Sequence, residues 1–146
     1  MHALPRLQWL ALLIVLALVS VAGAQPPART QQQLNFAKEL YQKATRHYEL
    51  GEYDRAIEEY KRAYEISAAP ALLFNLGQVY RLKKEPALAL RFYTNYLRLL
   101  PNATNRADVE TFIAEMRTAI EEKEKEREKE RKRKRESEEV AQPMLP

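Results

Sequence analysis

The chain has no cysteine. A disulfide framework, a thiolate metal site and a cysteine nucleophile are therefore excluded, as is the lipid-bearing cysteine of a bacterial lipoprotein. Histidine is almost as scarce, with only His2 and His47, and serine beyond residue 24 is confined to Ser67 and Ser137. No Ser-His-Asp arrangement can be built from that set, and a lone imidazole beside carboxylates on solvated helix faces makes no metal site. Glu58 and Glu59 are adjacent, but neighbouring helix residues point about 100° apart and do not converge on one atom. The chain is thus expected to be no enzyme, to need no cofactor or metal and to take no small-molecule substrate. A strong excess of one charge is missing too: the formal net charge is +4, too small to name a partner.

Long apolar runs are absent with one exception. Trp9 to Val19 is an unbroken apolar stretch of eleven residues, short of the ~20 that span a bilayer. Arg6 precedes it and Ala22-Gly23-Ala24, of A-x-A form, follows. A basic start, a short apolar core and a small-residue cleavage site predict a secretory signal over 1–24, with the exported chain beginning at Gln25. The expected localisation is periplasmic or secreted. Retention of the leader would instead make the protein a membrane-tethered adaptor. Residues 25–30, with Pro26-Pro27, read as a linker.

What is present beyond the linker is helical periodicity that repeats. Sliding the chain by 33 residues aligns Leu40 with Leu73, Tyr41 with Phe74, Ala44 with Gly77, Ala56 with Ala89, Ile57 with Leu90 and Tyr60 with Tyr93. A period of that length signals stacked supersecondary units. Thr30 and Gln33 form a capping box that starts the first helix, whose apolar positions Leu34, Ala37, Leu40, Tyr41, Ala44 and Tyr48 fall at helical spacings. Leu50-Gly51-Glu52 breaks it, and a second helix starts near Asp54. Pro70 and Pro86 open the next two helices, because proline suits the first helical turn, and Pro101 closes the array. No strand signal occurs, so the fold class is all-α. Gly77 stands inside a helix, where it costs about 1 kcal/mol relative to alanine, and a close approach by another helix accounts for it.

The second unit resembles the tetratricopeptide repeat: Leu73, Leu76-Gly77, Tyr80, Ala89, Tyr93 and Pro101 match its pattern at the family's spacing. The first unit matches at Leu40, Ala44, His47, Ala56 and Tyr60, with Lys43 where leucine is usual. The resemblance covers residues 37–101 and implies antiparallel helix pairs in two repeats, about 37–69 and 70–103, within a domain of 31–120. Gly77 and Ala89 would then be the small residues where helices cross. Lys84 occupies the position of the family's turn glycine and Tyr96 that of a small alanine, so an irregular turn and last packing layer are expected. The layout is similar to that of short exported two-repeat proteins of Gram-negative bacteria. The family's concave groove, carried onto this sequence, implies a peptide-binding site formed by Lys38, Tyr41, Thr45, Tyr48, Phe74, Asn75, Gln78 and Arg81. Aromatic area, free amides and positive charge suit a peptide segment with an apolar anchor and some acidic character, and the resemblance implies a protein-binding scaffold.

A capping helix over 105–120 follows, with Val109, Phe112, Ile113, Met116, Ala119 and Ile120 as its stripe and Asn105 with Asp108 at its start. The alternative use of Val109, Ile113, Met116 and Ile120 is a coiled-coil seam, which would make the protein a self-associating homodimer. From Glu121 to Arg135 every residue is charged, so the 121–146 tail must project into water as helix or fray. Arg131 to Arg135 form a basic block without interleaved aromatics, which speaks against nucleic acid and for a solvated spacer.

Overall fold

The computed structural model describes residues 28–141. The leader segment 1–24, linker residues 25–27 and the tail end 142–146 lie outside them. The described chain is all helical: α1 (Gln31–Glu49), α2 (Tyr53–Ser67), α3 (Ala71–Leu82), α4 (Pro86–Leu99) and α5 (Arg106–Ala141). Each helix packs on the next in the chain. No helix among the described residues is long and apolar enough to cross a membrane.

The 33-residue period reappears in the backbone. At the end of α1, the amides of Leu50, Gly51 and Glu52 donate to the carbonyls of Arg46, Tyr48 and His47; at the end of α3, those of Lys83, Lys84 and Glu85 donate to Val79, Arg81 and Tyr80. Both turns put their middle residue in the left-handed region, Gly51 at φ +74° and Lys84 at +58°. The expected irregularity at Lys84 is therefore absent. The turn keeps its geometry and Lys84 bears the conformational strain that glycine avoids. Thr30 caps α1 as its sequence predicts: the Gln33 amide donates to Thr30 Oγ1 at 3.2 Å and the Thr30 amide to Gln33 Oε1 at 2.9 Å. Pro86 is the first residue of α4, where its missing N–H is no loss. Ala68, in the left-handed region at φ +50°, ends α2.

The same positions of each unit fill the core. Leu40, Ala44, Ala56 and Tyr60 are buried, as are their counterparts Leu73, Gly77, Ala89 and Tyr93. Gly77 does serve a close approach, but what lies on it is Tyr93: a Cβ there would stand 2.5 Å from Tyr93 Cε1 and 2.6 Å from Cδ1. The first unit solves the same crossing differently. Tyr60 sits near Tyr41, ring centroids 6.0 Å apart, its hydroxyl 3.1 Å from Thr45 Oγ1, and Ala44 is accommodated with none of its surface exposed. Tyr96, which stands where the resemblance has a small alanine, is buried, and its hydroxyl donates to Asn105 Oδ1 at 2.8 Å. Asn105 thus spends its side chain on α4.

Val109 and Met116 of α5 are buried, with Phe112 and Ile113 packed against the same core. Beyond Ile120 the helix runs on without a break to Ala141, and every residue from Glu121 to Glu139 is exposed. At about 1.5 Å per residue that stretch reaches some 30 Å from the bundle.

Candidate peptide-binding groove

Five of the eight sequence-predicted site residues meet in one place. Tyr48 from α1, Phe74, Asn75, Gln78 and Arg81 from α3, together with Tyr60 from α2, line a cleft of about 280 Å³. The α3 residues share a face because they lie three and four apart. Phe74 is half-buried and held by Tyr93 and Tyr96, at centroid distances of 6.1 and 5.6 Å. Tyr48 leans on Tyr53 at 6.3 Å. Both rings therefore offer rigid apolar area at little cost in side-chain entropy on binding.

Arg81 is oriented from several sides. Its Nε and Nη2 donate to Gln78 Oε1 at 3.2 and 2.9 Å, its guanidinium carbon lies 4.4 Å from the centre of the Phe112 ring, and its nearest carboxylate, Glu115, is 3.9 Å away. The guanidinium is thus fixed in place by a neutral amide and an aromatic face and only loosely neutralised. Gln78 keeps its amide hydrogens for another acceptor, and the Asn75 side chain makes no hydrogen bond among the described residues. Those two amides match the alternating donors and acceptors of an extended backbone. The Tyr93 hydroxyl is buried with no hydrogen-bond partner. Burial pushes its pKa up to about 12, against the pull of Arg81, so it stays protonated at any physiological pH.

The remaining predicted residues are elsewhere. Thr45 lines no cleft wall of its own: its hydroxyl donates to Tyr41 O at 3.0 Å and meets Tyr60. Lys38 and Tyr41 border a separate shallow cleft of about 300 Å³ with Leu34, Ala37 and Leu72. The lining residues outside the predicted set are Tyr60 of α2 in the groove itself and a further group that includes three residues of α5. A second cleft, about 360 Å³, is lined by Arg81, Lys84, Pro86, Met116, Ala119 and Lys123, so it meets the first at Arg81. Carrying the 33-residue register forward does not find these positions, because residues 100–105 form a longer connection than residues 68–70. The i, i+3, i+7 spacing of Met116, Ala119 and Lys123 was the available signal.

The larger recess beside Glu124, Arg127 and Arg131, about 830 Å³, has only α5 for a wall and is open solvent. Glu59 is buried and bridges helices, its carboxylate 2.5 Å from Lys43 Nζ and 3.0 Å from Arg62 Nη1; the Lys43 hydrogen bond holds its pKa below the ordinary carboxylate value. His47 Nδ1 lies 2.6 Å from Glu52 Oε2, which Arg55 also contacts at 3.2 Å. These charged groups join α1, α2 and the turn between them and do not face the groove residues. Compared with known proteins, the chain matches no protein-family model and no curated protein.

Proposed function

We propose that the chain is an exported tetratricopeptide-repeat protein of two repeats, capped by the first part of α5, that acts without catalysis as a scaffold and binds an extended peptide segment of a partner protein. The observation that carries this reading is the convergence of Tyr48, Phe74, Asn75, Gln78 and Arg81 on one cleft: braced aromatics for an apolar anchor, unspent amides for a peptide backbone and a partly neutralised cation beside them. The equal turns 33 residues apart support the repeat assignment. Burial of Val109 and Met116 in the bundle favours the capping role of α5 over the self-association seam. The export reading rests on the leader pattern of residues 1–24.

The test is selection of peptides from a random displayed library on the immobilised protein, with Asn75→Ala as the control. Asn75 has no bond to lose within the fold, so its truncation should weaken a groove-bound peptide by about tenfold, the worth of roughly one hydrogen bond, with the helical circular dichroism unchanged. Peptides that bind the Asn75→Ala protein as well as the parent would place binding outside the groove.

A further inference from the structure

We propose that Lys84 and Lys123, in the cleft they share with Arg81, read an acidic side chain on the bound peptide, next to an apolar residue that packs on Pro86, Met116 and Ala119. This deepens the peptide-binding reading and rests on it. Three cations from three different elements, the end of α3, the turn and α5, border one cleft of about 360 Å³ whose remaining wall is Pro86, Met116 and Ala119. An anion in the cleft is attracted by all three charges, with an attraction that solvent and salt screen at exposed Lys84 and Lys123.

The neighbouring charges sharpen the contrast. Lys83 is neutralised by Asp54 and by Glu85, the latter at 3.2 Å. Lys84 and Lys123 have no carboxylate within 4.0 Å among the described residues, and Arg81 has only Glu115 at 3.9 Å. Of the turn's two adjacent lysines, the one with no carboxylate partner is the one at the cleft.

The backbone supplies an independent observation. Lys84 sits at φ +58° in a turn whose counterpart carries Gly51 at +74°, and the hydrogen bonds of the two turns are the same. Nothing in the turn requires a lysine. A side chain kept where it strains the backbone points to a use for that side chain, and the cleft beside it provides one. Because the two clefts share Arg81, and Phe74 lies seven helical residues, about 10 Å, before it, one extended peptide at about 3.3 Å per residue can place an apolar anchor at Phe74 and its acidic residue three or more positions further along.

The experiment repeats the displayed-library selection on the parent protein and on Lys84→Gly/Lys123→Gln, a pair that relieves backbone strain at 84 and alters an exposed site at 123, with a thermal melt to verify folding. The parent should enrich peptides in which Asp or Glu neighbours an apolar residue; the variant should enrich the apolar residue without the acid. In fluorescence anisotropy, an enriched peptide should bind the parent at least tenfold more tightly than its Glu→Gln version, with a gap that narrows as salt is raised, and the variant should not tell the two apart. Enrichment without an acidic preference, or an acidic preference that survives in the variant, overturns this inference and leaves the groove intact. Failure to enrich any peptide overturns the groove and this inference together.

Discussion

Replacing Gly77 by alanine sets two opposed effects against each other at one atom. Helix propensity favours the change by about 1 kcal/mol. Against it, the new Cβ would lie 2.5 Å from Tyr93 Cε1 and 2.6 Å from Cδ1, where carbon atoms want about 3.5–4.0 Å. The ring must therefore retreat by roughly 1 Å. It has nowhere to go: Tyr93 is 0% exposed and is flanked by Phe74 and Phe112, centroids 6.1 and 5.6 Å away. Overpacking of that kind costs toward the upper end of about 1–3 kcal/mol, which leaves a net loss near 2 kcal/mol. For a bundle of about 90 residues that is a fall in Tm of roughly 10 °C, followed by helical circular dichroism in a thermal melt. Combining Gly77→Ala with Tyr93→Leu should cost less than the two separate losses, because the pair is in contact. A rise in Tm for Gly77→Ala, by the 5 °C or so that propensity alone implies, would refute the packing argument.

Lys84→Gly should raise stability by about 1 kcal/mol, since it removes a side chain from the left-handed region; an unchanged or lower melting temperature contradicts this. Glu59→Gln should lower the melting temperature at neutral pH, where the Lys43-bound carboxylate is ionised. Because the carboxyl is held below its ordinary value of 4.5, its contribution is present above that value and fades as pH falls through the lower folded-state pKa. The melting temperatures of parent and variant should therefore converge in acid, and a gap that persists there sinks the assignment. Trp9 is the chain's only tryptophan, so leader cleavage leaves tyrosine emission alone and an N-terminus at Gln25 in protein from its native envelope. Indole emission from that material would move the repeats onto a membrane tether.

Much of the helix map was legible because its determinants are local. The Thr30–Gln33 box, the break at Leu50-Gly51-Glu52 and the prolines at 70 and 86 act within a turn or two of themselves, and the helices begin and end beside them. Gly77 announced a close approach, but a 33-residue alignment does not say which neighbour approaches. Tyr93 rather than Ala89 meets the missing Cβ because the ring direction is set by Phe74 and Phe112, residues far apart in the chain. Lys84 read as a departure from the turn pattern, since propensity weighs the residue and not the six backbone bonds that hold both turns alike. In the groove, residues three and four apart on α3 were bound to share a face. Lys38 and Tyr41 fell into a different cleft because their distance from Phe74 depends on how α1 crosses α3. The α5 contribution stayed hidden behind the run of charges after Ile120: Lys123 reads as the start of a solvated tail, although it borders a cleft with Met116 and Ala119.

Whether Tyr48, Phe74, Asn75, Gln78 and Arg81 form a peptide-binding surface is decided by an NMR titration of the protein with a library-selected peptide. The side-chain amides of Asn75 and Gln78 and the Nε–H of Arg81 should shift first and most, in proportion to binding, with Lys123 following on α5. Shifts confined to the Leu34–Tyr41 cleft, to the outer faces of α2 and α4 or to residues beyond Arg127, with those three groups unmoved, would contradict the claim.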